Sequence, residues 1–290
     1  MARKIGPQAL SGTAPGTEPA SIAEPEGPGH DLEPTGRSLI VRMGTTSREN
    51  AISRAAHDRT VGIWHDRPTA SHARPVVGSE YTLGEEIANS ITSGIASALS
   101  VAALVVMVVH AALRGDGWHV TGCAIFGASL ILSNLSSTLY HAIAPPRAKR
   151  VFRVFDHLSI YFLIAGTYMP FVLVSLRGAW GWTLCGIVWG LAALGLAIKL
   201  TPLARVRGLS TGSYLAMGWT VLIAIKPVLA HVPLGGVWLL LDGGLCYTAG
   251  VIFYAWKRLP FSHAIWHLFV LAGNAFHVFA VLYYVIPSAP

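Results

Sequence analysis

Seven apolar stretches dominate the second part of this chain and constrain its fold more than any other feature. They are predicted at residues 88–113, 118–143, 151–176, 180–200, 209–231, 235–256 and 262–286. A helix needs roughly 20 mostly apolar residues to cross the hydrocarbon core of a bilayer, and helices satisfy their backbone polar groups internally. The pattern predicts an all-α integral membrane protein, a bundle of seven transmembrane helices.

The composition agrees with a membrane protein, because only 12% of the 290 residues are charged and 53% are hydrophobic. Soluble domains carry roughly 25% charged residues. The formal net charge of +7 belongs to residues 81–290, since Lys+Arg and Asp+Glu are equal in number before them. Basic residues between apolar spans indicate topology rather than binding to nucleic acid. We therefore expect membrane lipids as partners and no nucleic acid.

The basic residues are unevenly divided between the two ends of the predicted bundle. The odd-numbered connections carry only Arg114 and Arg177. The even-numbered connections and their edges carry Arg147, Lys149, Arg150, Arg153, Lys199, Arg205, Arg207, Lys257 and Arg258. Because positive residues stay on the cytoplasmic side, the asymmetry predicts a cytoplasmic N-terminus and an external C-terminus.

Residues 1–80 differ in composition from the rest of the chain. They hold eight Pro and nine Gly among mixed charges, with little apolar periodicity. Such a segment cannot bury enough apolar surface to fold, and it lacks the apolar run of a signal peptide. The sequence predicts a disordered tail at 1–80 and a membrane domain at 81–290.

Polar residues from three distant spans fall at one depth of the predicted bundle. His263 and His267 lie one turn apart on one face at the start of the seventh span. His141 lies in the last turns of the second span, with Ser137 one turn deeper, and Asp156 lies near the start of the third. Ionisable residues inside a membrane are costly and usually face the bundle interior or a wet cavity.

This set is typical of a catalytic zinc site, in which three protein ligands leave one position for water. We expect His141, His263 and His267 to bind Zn²⁺ and Asp156 to hold the water or a ligand. Ser137 would donate a hydrogen bond to a substrate carbonyl, an oxyanion or the metal-bound water. Incidental interfacial histidines and axial haem ligands are the alternatives. His277 is about 15 Å deeper than His267 and is not expected to bind the same ion.

Four segments resemble the hemolysin III family, the bacterial branch of the progestin and adipoQ receptor superfamily. They are "EEIANSIT", "SNLSSTLYHA", "FRVFDHLSIYFLIAGTYMPF" and "FSHAIWHLFVLAGNAFHVFAVLYYV". The resemblance covers about residues 81–290 and implies zinc bound by the three histidines, Asp156 acting through a water, and a multi-pass protein of the bacterial inner membrane. One position departs from many bacterial members, because Ser93 stands where they have a histidine four residues after Asn89.

Two functions remain open at this point. The superfamily is distantly similar to alkaline ceramidases, which suggests a zinc-dependent hydrolase of a lipid amide or ester. The family name, in contrast, refers to lysis of red cells, which suggests a non-enzymatic pore or a sensor with structural zinc. A pore requires a continuous polar stripe along a span, and stretches such as "VAALVVMVV" and "GLAALGLAI" have none.

Overall fold

The computed structural model describes residues 79–206 and 208–287. Within them, seven helices are long and apolar enough to cross a membrane. They are α1 (Leu83–Arg114), α2 (Gly117–Ala142), α3 (Pro146–Ser175), α4 (Ala179–Lys199), α5 (Leu209–His231), α6 (Leu234–Ala255) and α7 (Ser262–Tyr284). The predicted all-α architecture of seven transmembrane helices is confirmed. The predicted tail lies, except for its last two residues, outside the described part of the chain.

Local sequence signals explain where several helices begin. Thr82 caps α1 in a capping box, since its hydroxyl accepts from Glu85 N and the Glu85 carboxylate accepts from Thr82 N at 2.9 Å. Asp116 caps α2 in the same way. Pro146 occupies the first turn of α3, where its missing N–H leaves no helical bond unmade. These three helices begin one to five residues before the starts of the predicted apolar stretches.

Two internal prolines lie where helical regularity is interrupted. After Pro170, the last turn of α3 becomes a π-helix at Phe171–Ser175. In α5, a 3₁₀ segment at Trp219–Ala224 precedes the turn that contains Pro227. Proline cannot donate the i to i−4 hydrogen bond and its ring crowds the preceding turn, so the backbone changes its bonding pattern at both places.

Helix α1 shows how the bundle divides its surfaces. Ile87, Ile91, Ile95 and Leu99 recur every four residues and are each about half exposed. Its buried positions are mostly polar or small: Glu86, Asn89, Ser93, Ala96, Ser100, Met107 and Ala111. Since the exposed stripe is apolar and the buried stripe carries polar groups, α1 is built to face lipid outward and a polar interior inward.

The chain direction places three helix ends together at the end of the bundle that carries the basic connections. These are the C-terminus of α2 and the N-termini of α3 and α7, and helix α1 also begins there. We call this the basic end. All five predicted site residues lie in the helical turns nearest to it.

Candidate metal centre

Three histidines converge at the basic end. His141 is in the last turn of α2, and His263 and His267 are in the first two turns of α7. One nitrogen atom from each lies within 4.8 Å of the others, and the ring centroids are 4.6–5.4 Å apart. Rings this close leave no space for a planar haem between any two of them, whereas a single metal ion fits.

Helix α1 contributes no histidine to this cluster, but its side chains contact two of the three imidazole rings and orient them. The Glu86 carboxylate lies 2.7 Å from His141 Nδ1. The Thr92 hydroxyl lies 3.0 Å from His267 Nδ1 and donates its own hydrogen to Ala88 O at 2.9 Å. An ionised carboxylate can only accept, so His141 Nδ1 carries a hydrogen, and His267 Nδ1 carries one when Thr92 donates to Ala88 O. Nε2 is then the unprotonated nitrogen of each ring. Partners of this kind fix the tautomer of metal-binding histidines.

Lys149 completes the support behind His141. Its ammonium lies 2.8 Å from the second oxygen of Glu86 and donates to the carbonyl of Tyr140 at 2.9 Å. Lys149 is 2% exposed and Glu86 is 4% exposed. Buried charges persist when they are paired and hydrogen-bonded, so this ion pair ties the start of α3 to α1 and to the end of α2.

Several nitrogens in the cluster have no hydrogen-bond partner within the described residues. They are His141 Nε2 and both ring nitrogens of His263, all of them buried. A buried polar atom without a partner costs about 1–3 kcal/mol. Bonds to one metal ion would satisfy an atom of each ring, so the donor set fits a metal ion.

Two tyrosine rings, those of Tyr81 and Tyr254, pack against the histidine cluster. The ring centroid of Tyr81 lies 4.9 Å from His263 and 5.6 Å from His141, and Tyr254 lies 5.8 Å from His263. Burial raises the pKa of the Tyr81 phenol well above its ordinary value. Tyr81 is therefore neutral at physiological pH and screens the histidines from water without adding charge.

The predicted Ser137 and Asp156 lie beside the cluster. Ser137 Oγ is 3.4 Å from His267 Nε2. Ser137, Asp156, His263 and His267 line one cavity, whereas His141 is behind its wall. Four of the five predicted residues thus share a cavity, and the fifth joins them through its ring contacts.

The cavity has a volume of about 190 Å³ and runs from the histidines between α3, α5, α6 and α7. Its walls beyond the histidines are largely apolar, and include Ile160, Leu163, Ile164, Phe171, Val172, Leu215, Val228, Leu240, Val251 and Val270. Polar groups gathered at the histidines and largely apolar walls elsewhere are features that suit an amphiphile.

Two other histidines border this cavity without joining the cluster. His157 Nδ1 lies 2.6 Å from Arg153 O on its own helix. His277 Nδ1 lies 2.8 Å from Gly273 O, ten residues beyond His267. Neither belongs to the group of three that can hold a metal ion, as the sequence predicts for His277.

Glu86, Thr92 and Lys149 were not predicted as part of the site. Lys149 was expected at the membrane surface as a topology signal, and it is instead buried against Glu86. The sequence contains one signal for Glu86. This residue lies on the face of α1 that also carries Asn89 and Ser93, so the polar face of the helix includes it.

Comparison with known proteins finds a family model and relatives that match most of the described residues. Residues 81–278 match the family model described as "Haemolysin-III related". The chain is 47% identical over 205 residues to Hemolysin-3 of Bacillus cereus, covering 71% of this chain and 94% of that protein. It is 48% identical over 204 residues to the Hemolysin-3 homolog of Bacillus subtilis (strain 168), covering 70% and 96%.

A more distant similarity extends to an animal protein. The chain is 28% identical over 225 residues to the monocyte to macrophage differentiation factor of Homo sapiens, covering 75% of this chain and 92% of that protein. This match is consistent with the progestin and adipoQ receptor superfamily. With its seven apolar helices and a family match over most of its length, this chain belongs to the haemolysin III family of multi-pass membrane proteins.

Proposed function

We propose that this protein is a zinc-dependent hydrolase that cleaves an amide or ester bond of a membrane lipid. One observation carries the proposal: buried imidazole nitrogens without partners meet a serine and an aspartate at the polar end of an apolar cavity. Three nitrogen ligands with an open position are the donor set of catalytic rather than structural zinc. Zinc held by His141, His263 and His267 would supply a Lewis acid and lower the pKa of a water.

The side chains around the cluster have separate roles in this scheme. Asp156 accepts a proton from water as the water oxygen bonds to the acyl carbon, and returns that proton to the leaving nitrogen or oxygen as its bond to carbon breaks. The Ser137 hydroxyl, 3.4 Å from His267 Nε2, donates to the carbonyl oxygen that gains negative charge. Glu86 and Thr92 hold two of the imidazoles in the tautomer that exposes Nε2.

The cavity supports a lipid as the substrate. Its apolar walls extend from the histidines between four helices, so an acyl chain could lie there while the scissile bond meets the polar end. The transfer free energy of an acyl chain out of water is favourable by about 0.8 kcal/mol per CH₂. A lipid that enters the cavity from the bilayer gains less, because its chain is already out of water.

We further propose that the basic end faces the cytoplasm of a bacterial inner membrane. The nine basic residues at this end, against two at the other, support it. The N-terminus is then cytoplasmic and the C-terminus external. Lipid would enter from the leaflet next to the cytoplasm.

A pore or a sensor with structural zinc is the competing function, and the names of the Bacillus relatives refer to haemolysis. A pore requires a continuous wet path. The walls of the described cavity are largely apolar and carry only scattered polar groups, which favours a lipid-binding site over a water-filled channel.

The proposal is tested by measuring fatty-acid release from a ceramide-like amide and a matched ester, together with zinc content, on the same detergent-solubilised samples. We expect Asp156→Asn to keep its zinc and to lose about 10²–10⁴-fold in rate. The double variant His110→Ala/His231→Ala is the control, since each of these rings bonds only its own helix. Zinc-replete wild type without turnover on either lipid, or an Asp156→Asn variant as active as wild type, would contradict the hydrolase.

A further inference from the structure

A second group of polar side chains borders the cavity far from the metal centre. Tyr247 on α6 and His277 on α7 both line it, and Asn274 lies behind Tyr247. We call these three residues the distal polar cluster. In the scheme above they have no role, and polar groups at this depth of a bilayer are costly enough to mark sites.

The hydrogen bonds within the distal polar cluster leave specific atoms available. The Tyr247 hydroxyl donates to Asn274 Oδ1 at 2.7 Å, so its oxygen can still accept. His277 Nδ1 lies 2.8 Å from Gly273 O and must donate to it, so Nε2 is an unprotonated acceptor. Asn274 Nδ2 is buried and has no partner among the described residues. The cluster therefore offers two acceptors, His277 Nε2 and the Tyr247 oxygen, to a donor in the cavity, and Asn274 Nδ2 is a donor buried beside them.

Close packing holds the His277 ring in this position. A Cβ atom on Gly243 would lie 2.3 Å from His277 Nδ1, so only glycine allows the ring to lie against α6 here. The His277 ring also lies next to the Tyr247 ring, and the two ring centroids are 5.4 Å apart. The His277 ring is thus held in place by its packing against α6 and by its bond to Gly273 O.

The distance from the metal centre defines what the cluster could bind. His277 is ten residues beyond His267, which is about 15 Å along a helix. Three successive bonds of an extended chain span ~3.5 Å, so this distance corresponds to roughly 12–13 bonds of an acyl chain. A hydroxyl group about twelve carbons from a carboxyl carbon would reach the cluster.

We propose that the distal polar cluster binds a hydroxyl group in the middle of the lipid's acyl chain, and so selects hydroxylated chains over unsubstituted ones. The hydroxyl donates to His277 Nε2 inside largely apolar walls. This inference rests on the proposed function in one respect: it requires the cavity to hold a lipid chain whose head lies at the histidines.

The experiment is displacement of a fluorescent fatty acid from full-length purified protein by three competitors: stearate, 12-hydroxystearate and 3-hydroxystearate. Because they are free acids, binding is measured without hydrolysis. We expect wild type to bind 12-hydroxystearate roughly 3–10-fold more tightly than stearate, as one net hydrogen bond allows. The 3-hydroxy acid controls for position, and we expect no such preference for it.

His277→Leu should reduce the preference for 12-hydroxystearate to about one while leaving stearate binding unchanged or tighter. Tyr247→Phe removes one hydroxyl and should reduce the preference less, and retained zinc in both variants verifies that the bundle is folded. Equal binding of the three acids to wild type, or a preference that survives in His277→Leu, would overturn the inference. If stearate binds but no lipid is hydrolysed, only the hydrolase fails; if no acid displaces the probe, this inference fails and the hydrolase is decided by its own turnover assay.

Discussion

Replacing Glu86 by glutamine should weaken metal binding, although Glu86 is not a ligand. One Glu86 oxygen accepts from His141 Nδ1 at 2.7 Å and the other accepts from Lys149 Nζ at 2.8 Å. Glutamine offers one acceptor oxygen and one amide nitrogen that can only donate. The Lys149 ammonium always requires an acceptor, so the oxygen turns to Lys149 and the amide nitrogen faces His141.

The His141 ring must then change its tautomer. Facing an amide donor, Nδ1 loses its hydrogen and accepts, and the hydrogen moves to Nε2, the atom that the metal needs. Loss of such a supporting partner typically costs 10–100-fold in metal affinity, which is about 1.4–2.8 kcal/mol. We expect Glu86→Gln to raise the zinc dissociation constant by that factor, measured by competition with a chromophoric chelator at fixed pH.

Two further variants separate this mechanism from general destabilisation. Glu85→Gln is the matched control, because a glutamine maintains the capping box of α1 and Glu85 does not contact the histidines. In Glu86→Gln/Lys149→Met the glutamine oxygen is free to accept from His141 Nδ1 again, so zinc affinity should recover. Equal affinity in Glu86→Gln and Glu85→Gln, or no recovery in the double variant, would refute the tautomer argument.

Three further outcomes are expected. Ser137→Ala should retain zinc and lose about 10²–10³-fold in hydrolytic rate, the effect of removing one oxyanion donor, and a rate near that of wild type would exclude the assigned role. Deleting residues 1–75 should leave insertion and zinc content unchanged, because that segment has little apolar surface to bury against a bundle; loss of either, measured in membrane fractions, would contradict this. Reporter fusions after Ser288 should give an external signal, whereas a cytoplasmic signal would invert the proposed orientation.

The sequence predicts the spans and three site histidines because each depends on a simple pattern. Apolar runs of sufficient length give the helices, and a spacing of four places His263 and His267 on one face. Proline positions predict the irregular turns near Pro170 and Pro227. These features depend on local chemistry, so no knowledge of the tertiary contacts is needed.

Apolar runs alone do not reveal Glu86 and Lys149, because the charged first turns of α1 and α3 lie outside those runs. Helix α1 begins at Leu83 rather than 88, and α3 begins at Pro146 rather than 151. Glu86 and Lys149 lie in those added turns, where charge lowers the hydropathy and hides the helix. Their pairing joins residues 63 positions apart in the sequence, and no local pattern specifies such a contact.

The most direct test of the central claim is the zinc content of the purified protein. Elemental analysis should find one zinc per chain in wild type and in the control His110→Ala/His231→Ala. The variant with alanine at His141, His263 and His267 should hold none. If that triple variant retains the zinc stoichiometry of wild type, the three histidines do not hold the metal, and the account of this site is wrong.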